Sequence, residues 1–397
     1  MNILVLNSGS SSIKYSLLNM QSHASVLSGL IERIGEAQSR HTVQSETGAT
    51  RISERPIADH SQALAELFAA LDNSSALKAG ALSCIGHRVV HGGDRFSKPT
   101  VITPDVLTRI EAVSALAPLH NPANLLGIKE ALHTMGNVVQ IAVFDTAFHQ
   151  TLPDYAYRYP LPDTWYAEHG VRRYGFHGTS HRYVAKQAAK FLNAELNEIN
   201  LITLHLGNGA SVTAIRNGLS VDTSMGMTPL EGLMMGSRCG DIDPSIPFYM
   251  ARSLRQPLED FEDVLNKSSG CKGISGHNDM RSLHRLADNN DASARLALDM
   301  FAYRVKKYIG AYMAVLGRVD ALVFTGGIGE NDAWLRHTVC EGMQGFGLEL
   351  ASEKNALRHP VCAEISTPES RSKILVIKTN EELEIALQAA ECLEHAF

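Results

Sequence analysis

The chain has 397 residues, 44% of them apolar and 20% charged, with a net charge of -6. That length exceeds a single ordinary core and predicts two domains, and the composition excludes a disordered chain. The mildly acidic balance, with no long basic cluster, argues against nucleic acid or an acidic membrane as partner, and no run approaches the ~18 consecutive apolar residues of a membrane span.

The first element is an apolar strand, Ile3 to Leu6, which runs into Asn7 and a Ser-Gly-Ser-Ser-Ser stretch before a second strand from Ile13 to Leu18. The stretch reads as a long hairpin turn or as a cradle of N–H groups and hydroxyls for phosphate oxygens, with Lys14 as a nearby cation. Ser61–Asp72 predicts a helix with Leu64, Leu67, Phe68 and Leu71 on one face. Thr103-Pro104-Asp105 opens another, with Thr as N-cap and Pro at the first helical position. Further strands are expected at Val138–Phe144, Leu201–Leu206, Ala321–Phe324 and Ile374–Ile377. A long helix carries Phe301, Val305, Tyr308, Ile309, Tyr312 and Leu316 as its apolar stripe, and Glu381 to His395 forms a last helix, with Thr379 and Glu382 at capping-box spacing. Strands alternating with helices predict α/β architecture.

The pattern of strand, Gly/Ser/Asn turn and strand occurs again in "LITLHLGNGASVTAIRNGLSV" (201–221), where Asn217-Gly218 signals a tight hairpin. Two such openings predict a duplicated domain. The expected division is 1–147 for an N-terminal lobe and 148–382 for a C-terminal nucleotide-binding and dimerisation lobe, with the helix 383–397 packing back on the first. Glycine turns after strands, at Ser8–Ser12, Gly207-Asn208-Gly209 and Gly326-Gly327-Ile328-Gly329, let backbone approach a phosphate closely. No Gly-Lys dipeptide occurs, which excludes a Walker A loop, and the glycine spacing does not fit a dinucleotide-binding fingerprint. His177 and His181 have a spacing that suits zinc on a helix, but Gly-Thr-Ser between them lacks the glutamate of HExxH. Arg172-Arg173 offers a local cationic pair for an anionic small molecule. The chain starts straight into a strand without a signal-peptide pattern. Its six cysteines are scattered with no CxxC pair; the expectation is a cytoplasmic protein with reduced thiols.

Taken together, "LNSGSSSIKYSLL" (6–18), "GHRVVHGG" (86–93), "APLHNPANLLGI" (117–128), "VFDTAFHQTLP" (143–153), "YGFHGTSH" (174–181), "HLGNGASV" (205–212), "DTSMGMTPLEGLMMGSRCGDIDP" (222–244), "FTGGIGEN" (324–331) and "TNEELEIA" (379–386) resemble the acetate kinase (acetokinase) family over essentially the whole chain. The resemblance implies a duplicated two-lobe, actin-like and ribonuclease H-like ATPase fold with nucleotide in the interdomain cleft. It implies Mg²⁺-dependent (or Mn²⁺-dependent) in-line transfer of the ATP γ-phosphoryl group to acetate, giving acetyl phosphate and ADP, by a cytoplasmic homodimer. A propionate or butyrate kinase of the same family is the alternative; a chaperone-like ATPase sharing the fold would need no paired arginines beside an acyl-sized pocket.

By the same resemblance, Arg88 and Arg238 are the active-site arginines, suited to a carboxylate and to a transferring phosphoryl group. His177 donates a hydrogen bond to the transition state. Asp145 is the essential carboxylate; acetate, already ionised with a pKa near ~4, has no proton to lose, so a positioning role is expected. Asn7 and Glu381 match the magnesium-associated residues. Val90, Leu119, Phe176 and Pro229 would line the acyl pocket, with valine at 90 favouring acetate over propionate. Lys14, His205, Leu206, Gly207, Asn208, Gly209, Asp279, Met280, Arg281, Gly327, Ile328, Gly329, Glu330 and Asn331 would contact nucleotide; for His205 a satisfied core role is an equal reading. Ser237, Cys239 and Lys378 depart from the family pattern.

Overall fold

The computed structural model describes residues 1–72, 82–118, 120–357 and 361–396. They fall into two compact units, Met1–Ala147 with Asn380–Phe397, and Phe148–Thr379. No described helix is long and apolar enough to cross a membrane.

The first unit contains β1 (Asn2–Ser8), β2 (Ser12–Asn19), β3 (Ala24–Glu32), β4 (Ser39–Ser45), β5 (Thr50–Arg55), β6 (Leu82–Val89), β7 (Thr100–Val101) and β8 (Val139–Phe144). They form one sheet in the order β5-β4-β3-β2-β1-β6-β8-β7. β1 pairs antiparallel with β2 and parallel with β6, and β6 runs parallel with β8. Ile3 to Leu6 is a continuous apolar run because β1 is buried on both faces. On one side Leu4 and Leu6 join Leu64, Leu67, Phe68 and Leu71 of the helix His60–Asp72 in one core. The helix Glu381–Ala396 packs on β1, β6 and β8. Its close approach depends on Gly86, where a Cβ would stand 3.2 Å from Ile385 and 3.4 Å from Ala389. The helix Pro104–Ala112 has Thr103 as its N-cap, accepting from the Val106 N–H.

The second unit contains β9 (Asn200–Leu206), β10 (Ala210–Arg216), β11 (Leu219–Thr223), β12 (Ala321–Thr325), β13 (Cys362–Glu364) and β14 (Lys373–Ile377), in the order β11-β10-β9-β12-β14-β13. β9 pairs antiparallel with β10 and parallel with β12, and β12 parallel with β14. Each sheet therefore repeats one plan: a first strand, its hairpin and a third antiparallel strand to one side, two parallel strands to the other. This is the duplicated α/β fold expected from the repeated hairpin. Asn217 and Gly218 both have positive φ, 51° and 79°, as the tight turn between β10 and β11 requires. Ala292–Leu316 buries Phe301, Val305, Ile309, Tyr312 and Leu316 against its unit.

The expected capping box at Thr379 is corrected. The last helix begins at Glu381, and Asn380 caps it, its Oδ1 accepting from the Leu383 N–H at 3.0 Å. Thr379 instead bonds Ser180 at 2.9 Å, and its N–H donates to Glu330 at 3.1 Å. One short polar side chain satisfies the helix N-terminus as well as another, and packing chose between neighbours.

Candidate active site

In the first unit Asn7, Arg88 and Asp145 stand at the C-terminal ends of the adjacent parallel strands β1, β6 and β8, where open α/β sheets place their ligand-binding side chains. Asp145 is fully buried and forms an ion pair with Arg88 Nη2, while Arg88 Nη1 donates to Asn7 Oδ1 at 3.4 Å. Burial works against the guanidinium charge, but Asp145 and then Glu381 outweigh it, so the Arg88 pKa is raised and the charge is permanent. Val90 follows β6 and is buried. Leu119 lies outside the described residues.

The segment carrying Val90 is held by two asparagines that the sequence analysis did not single out. Asn124 accepts from the Val90 N–H at 3.0 Å and donates to the Ser8 carbonyl at 2.7 Å. Asn121 takes both the N–H (3.0 Å) and the carbonyl (2.9 Å) of His91. The signal was "HNPAN", where Pro122 opens a helix and both amides face inward. The first turn itself is tied by the Gly9 N–H to the Ser12 carbonyl at 2.8 Å, and His60 bonds the Gly9 carbonyl at 2.7 Å. Lys14, opposite Asn7 across the hairpin, is ion-paired with Glu382.

In the second unit His177 caps the helix Gly178–Phe191 with a left-handed backbone, φ 58°, a conformation that is uncommon outside glycine and concentrates at functional positions. Its ring stacks on His205, centroids 4.3 Å apart, and its Nδ1 lies 2.9 Å from Ser211 Oγ. His205 Nδ1 bonds Ser180 at 2.7 Å. A Cβ on Gly209 would come 3.4 Å from His177 Nε2 and 3.7 Å from Arg238 Nη1. Glycine thus leaves open the space next to both groups. Burial lowers the Arg238 pKa; Nη1 donates to the Pro229 carbonyl at 3.3 Å. Phe176 is buried and its carbonyl accepts from His149 Nε2 at 3.0 Å.

Asn208, Asp279, Met280, Arg281, Gly327, Ile328 and Asn331 line one cavity of about 1070 Å³. The same cavity is lined by His284, Asp332 and Trp334, which the sequence reading missed. His284 Nε2 bonds Asp332 at 2.7 Å, which raises its pKa, and its ring meets Trp334 edge-on at 5.2 Å. Gly326 to Asn331 forms a helix rather than an isolated turn. Glu330 is not among the cavity-lining residues: its Oε1 accepts from the Gly326 N–H (3.0 Å) and the Thr379 N–H (3.1 Å).

One further expectation, that for Arg172-Arg173, changes. Arg173 binds the carbonyls of Thr223, Ser224 and Met225 (2.8, 3.1 and 3.1 Å) and pairs with Glu231 at 2.6 Å, and Arg172 stacks on Tyr157 at 3.7 Å. These arginines brace the segment that leads to Pro229 and do not form an anion site. His181, the second member of the zinc-like spacing, has both ring nitrogens hydrogen-bonded, to Thr203 and Ser211. Among the departures, Ser237 Oγ donates to the Asn266 carbonyl at 3.1 Å, and Lys378 is exposed, its N–H on the Val361 carbonyl at 2.8 Å.

The sequence profile of the acetokinase family matches residues 2–387. An acetate kinase of Sulfurovum sp. (strain NBC37-1) is 54% identical over 391 residues, 98% of each chain. That of Helicobacter pylori (strain Shi470) is 50% identical over 398 residues, 99% of each chain. The crystal structure of Porphyromonas gingivalis acetate kinase superposes with a TM-score of 0.93 at 41% identity, covering 99% of both chains. A propionate kinase from Francisella tularensis subsp. tularensis SCHU S4 superposes with a TM-score of 0.92 at 43% identity and 98% coverage of both. With strand order, turns and likeness agreeing from one end to the other, the chain belongs to the acetokinase family.

Proposed function

We propose that this chain is an acetate kinase, transferring the γ-phosphoryl group of ATP reversibly to acetate to give acetyl phosphate and ADP. The observation that carries the reading is full-length likeness to acetate kinases, joined to an arginine at the strand ends of one unit and an arginine–histidine pair beside a glycine turn in the other. A small carboxylate attacking a polyanion must have its charge neutralised and its oxygen aimed. Arg88, kept charged and oriented by Asp145, holds the carboxylate. Arg238, in a partly buried setting that strengthens its field, stabilises the transferring phosphoryl oxygens. His177 donates a hydrogen bond to the same charge. Asp145 positions and removes no proton.

The oxygen donors of Asn7 and Glu381 fit a hard cation that retains most of its water. They would hold Mg²⁺, or Mn²⁺, whose chemistry when bound is to neutralise phosphate charge. The cavity bearing Asn208, Arg281, Gly327 and Trp334 takes the nucleoside. Val90, fixed through its N–H by Asn124, limits the acyl chain. One methylene is worth only ~1–3 kcal/mol, so propionate is a slower substrate. Likeness to a propionate kinase keeps that acid as the second reading.

A homodimer is supported by the helix Ile246–Leu254, where Phe248, Tyr249 and Leu254 are 52%, 62% and 54% exposed. Unpaired cysteines support a reducing, cytoplasmic setting. A coupled assay of ADP formation with acetate, propionate and butyrate tests the activity. The expected kcat/KM for acetate exceeds that for propionate roughly tenfold; higher turnover of propionate selects the second reading, and no acid-dependent ADP formation overturns both. Sedimentation velocity at micromolar protein distinguishes dimer from monomer.

A further inference from the structure

Resting on the reading of His177 as a transition-state donor, we infer that Ser211 and His181 are positioning residues that set its tautomer, through a one-way hydrogen-bond relay Thr203–His181–Ser211–His177. His181 Nδ1 lies 2.7 Å from Thr203 Oγ1 and its Nε2 lies 2.8 Å from Ser211 Oγ, which in turn lies 2.9 Å from His177 Nδ1. Thr203, His181 and Ser211 are all fully buried, so water cannot substitute for any link.

Proton counting allows only two directions for the relay, and the reading of His177 as an Nε2 donor selects one of them. Burial, followed by the nearby His149 and His205, lowers the His181 pKa well below the ordinary value, so the ring is neutral with a single N–H. Ser211 has one proton for two ring nitrogens. Titratable groups near His177 in this unit include His205 stacked on it, His181 behind Ser211, and Arg238 across Gly209. His177 also stands at the N-terminus of the helix Gly178–Phe191, whose dipole disfavours an imidazolium. The Arg238 cation and the helix dipole oppose a positive charge on His177. A neutral imidazole donates from Nε2 only if Nδ1 accepts. Ser211 must then donate to His177 and accept from His181 Nε2–H, and His181 Nδ1 must accept from Thr203. The relay keeps a donor on Nε2, the nitrogen nearest Gly209, without protonating the ring.

The test is the Ser211→Ala variant, with Ser211→Thr as the rescue that keeps the hydroxyl. Without the hydroxyl, neutral His177 populates both tautomers. The expected kcat is of the order of tenfold below wild type at pH 8, with KM for acetate and ATP within about twofold. The deficit shrinks as the pH falls, because the imidazolium carries Nε2–H whatever its partner. Ser211→Thr is expected to restore the wild-type ratio. In ¹⁵N-histidine-labelled wild type, the ring signals lost in His177→Gln are expected to show a protonated Nε2 and an unprotonated Nδ1 at neutral pH. A kcat ratio for Ser211→Ala that is constant with pH, or a protonated Nδ1, overturns the relay. If His177→Ala, which has no side-chain donor, retains kcat, the reading of His177 as donor fails instead, so the two failures are distinguishable.

Discussion

Arg88 and Asp145 form an ion pair across the neighbouring strand ends of β6 and β8, with the Asp145 side chain 1% exposed and Arg88 21%. The carboxylate holds one guanidinium nitrogen while Asn7 takes another, so two of the cation's donors are fixed before any substrate arrives. This is the geometry of an orienting group.

Asp145→Asn is therefore expected to raise the KM for acetate at least tenfold and lower kcat/KM on the order of 10²-fold, without changing how kcat depends on pH between 6 and 8. Loss of a pH limb in the variant would assign Asp145 to proton transfer. Breaking the buried pair should also cost about 3 kcal/mol of stability, read from urea unfolding.

Gly209→Ala places a methyl group within 3.4 Å of His177 Nε2 and 3.7 Å of Arg238, which are ordinary contact distances. The fold should tolerate it, with a melting temperature near wild type. The space beside both groups is filled, so kcat/KM should fall by at least about 10²-fold. Full activity in this variant would mean that the reacting phosphoryl group lies elsewhere.

The chain has two tryptophans, and of these only Trp334 lines the cavity proposed to take the nucleoside. In a Trp165→Phe background, titration with ADP is expected to change the remaining fluorescence saturably, and Trp334→Phe should abolish the change. A fluorescence response that survives loss of Trp334 contradicts the assignment of this cavity.

His87 is buried, bonds Gln140 at 2.8 Å, and has its pKa pushed down to about 4, chiefly by burial. The unfolded chain takes up the proton near pH ~6.5 while the folded protein does not. Stability is complete above that value and is lost as the pH falls from 6.5 toward 4, at about 1.4 kcal/mol per pH unit and about 3 kcal/mol in all. His87→Gln is expected to flatten the fall in melting temperature over this range; an unchanged slope would remove His87 as its source.

Val90→Ala is expected to narrow the gap in kcat/KM between acetate and propionate by several-fold, because a larger acyl cavity gains about one methylene of burial. An unchanged ratio would place the specificity-determining wall in other residues.

Much of the architecture was legible because strands and hairpins are announced locally. Ile3–Leu6 and Ala321–Phe324 are uninterrupted apolar runs that need both faces covered, and Asn217-Gly218 has turn chemistry that few other pairs supply. The site residues at strand ends were reached through motif likeness; the structure sets Arg88 beside Asp145 and Asn7 in one unit, and His177 and Arg238 beside Gly209 in the other. What remained hidden was partnership. No short-range pattern says that Lys14 pairs with Glu382, that Glu330 turns to the amides of Gly326 and Thr379, or that Arg173 gathers three carbonyls instead of an anion.

By itself, then, the sequence determined the family, through motifs spread along the whole chain, and the duplicated α/β plan and the identity of the turns, through periodicity and turn chemistry within a few residues. Only the tertiary structure decided which side chains face one another: Asn380 rather than Thr379 as helix cap, Asn121 and Asn124 as the clamp on Val90 and His91, and His181 behind Ser211. Those choices depend on strands distant in sequence ending at one edge of a sheet, where burial makes every polar atom find a partner.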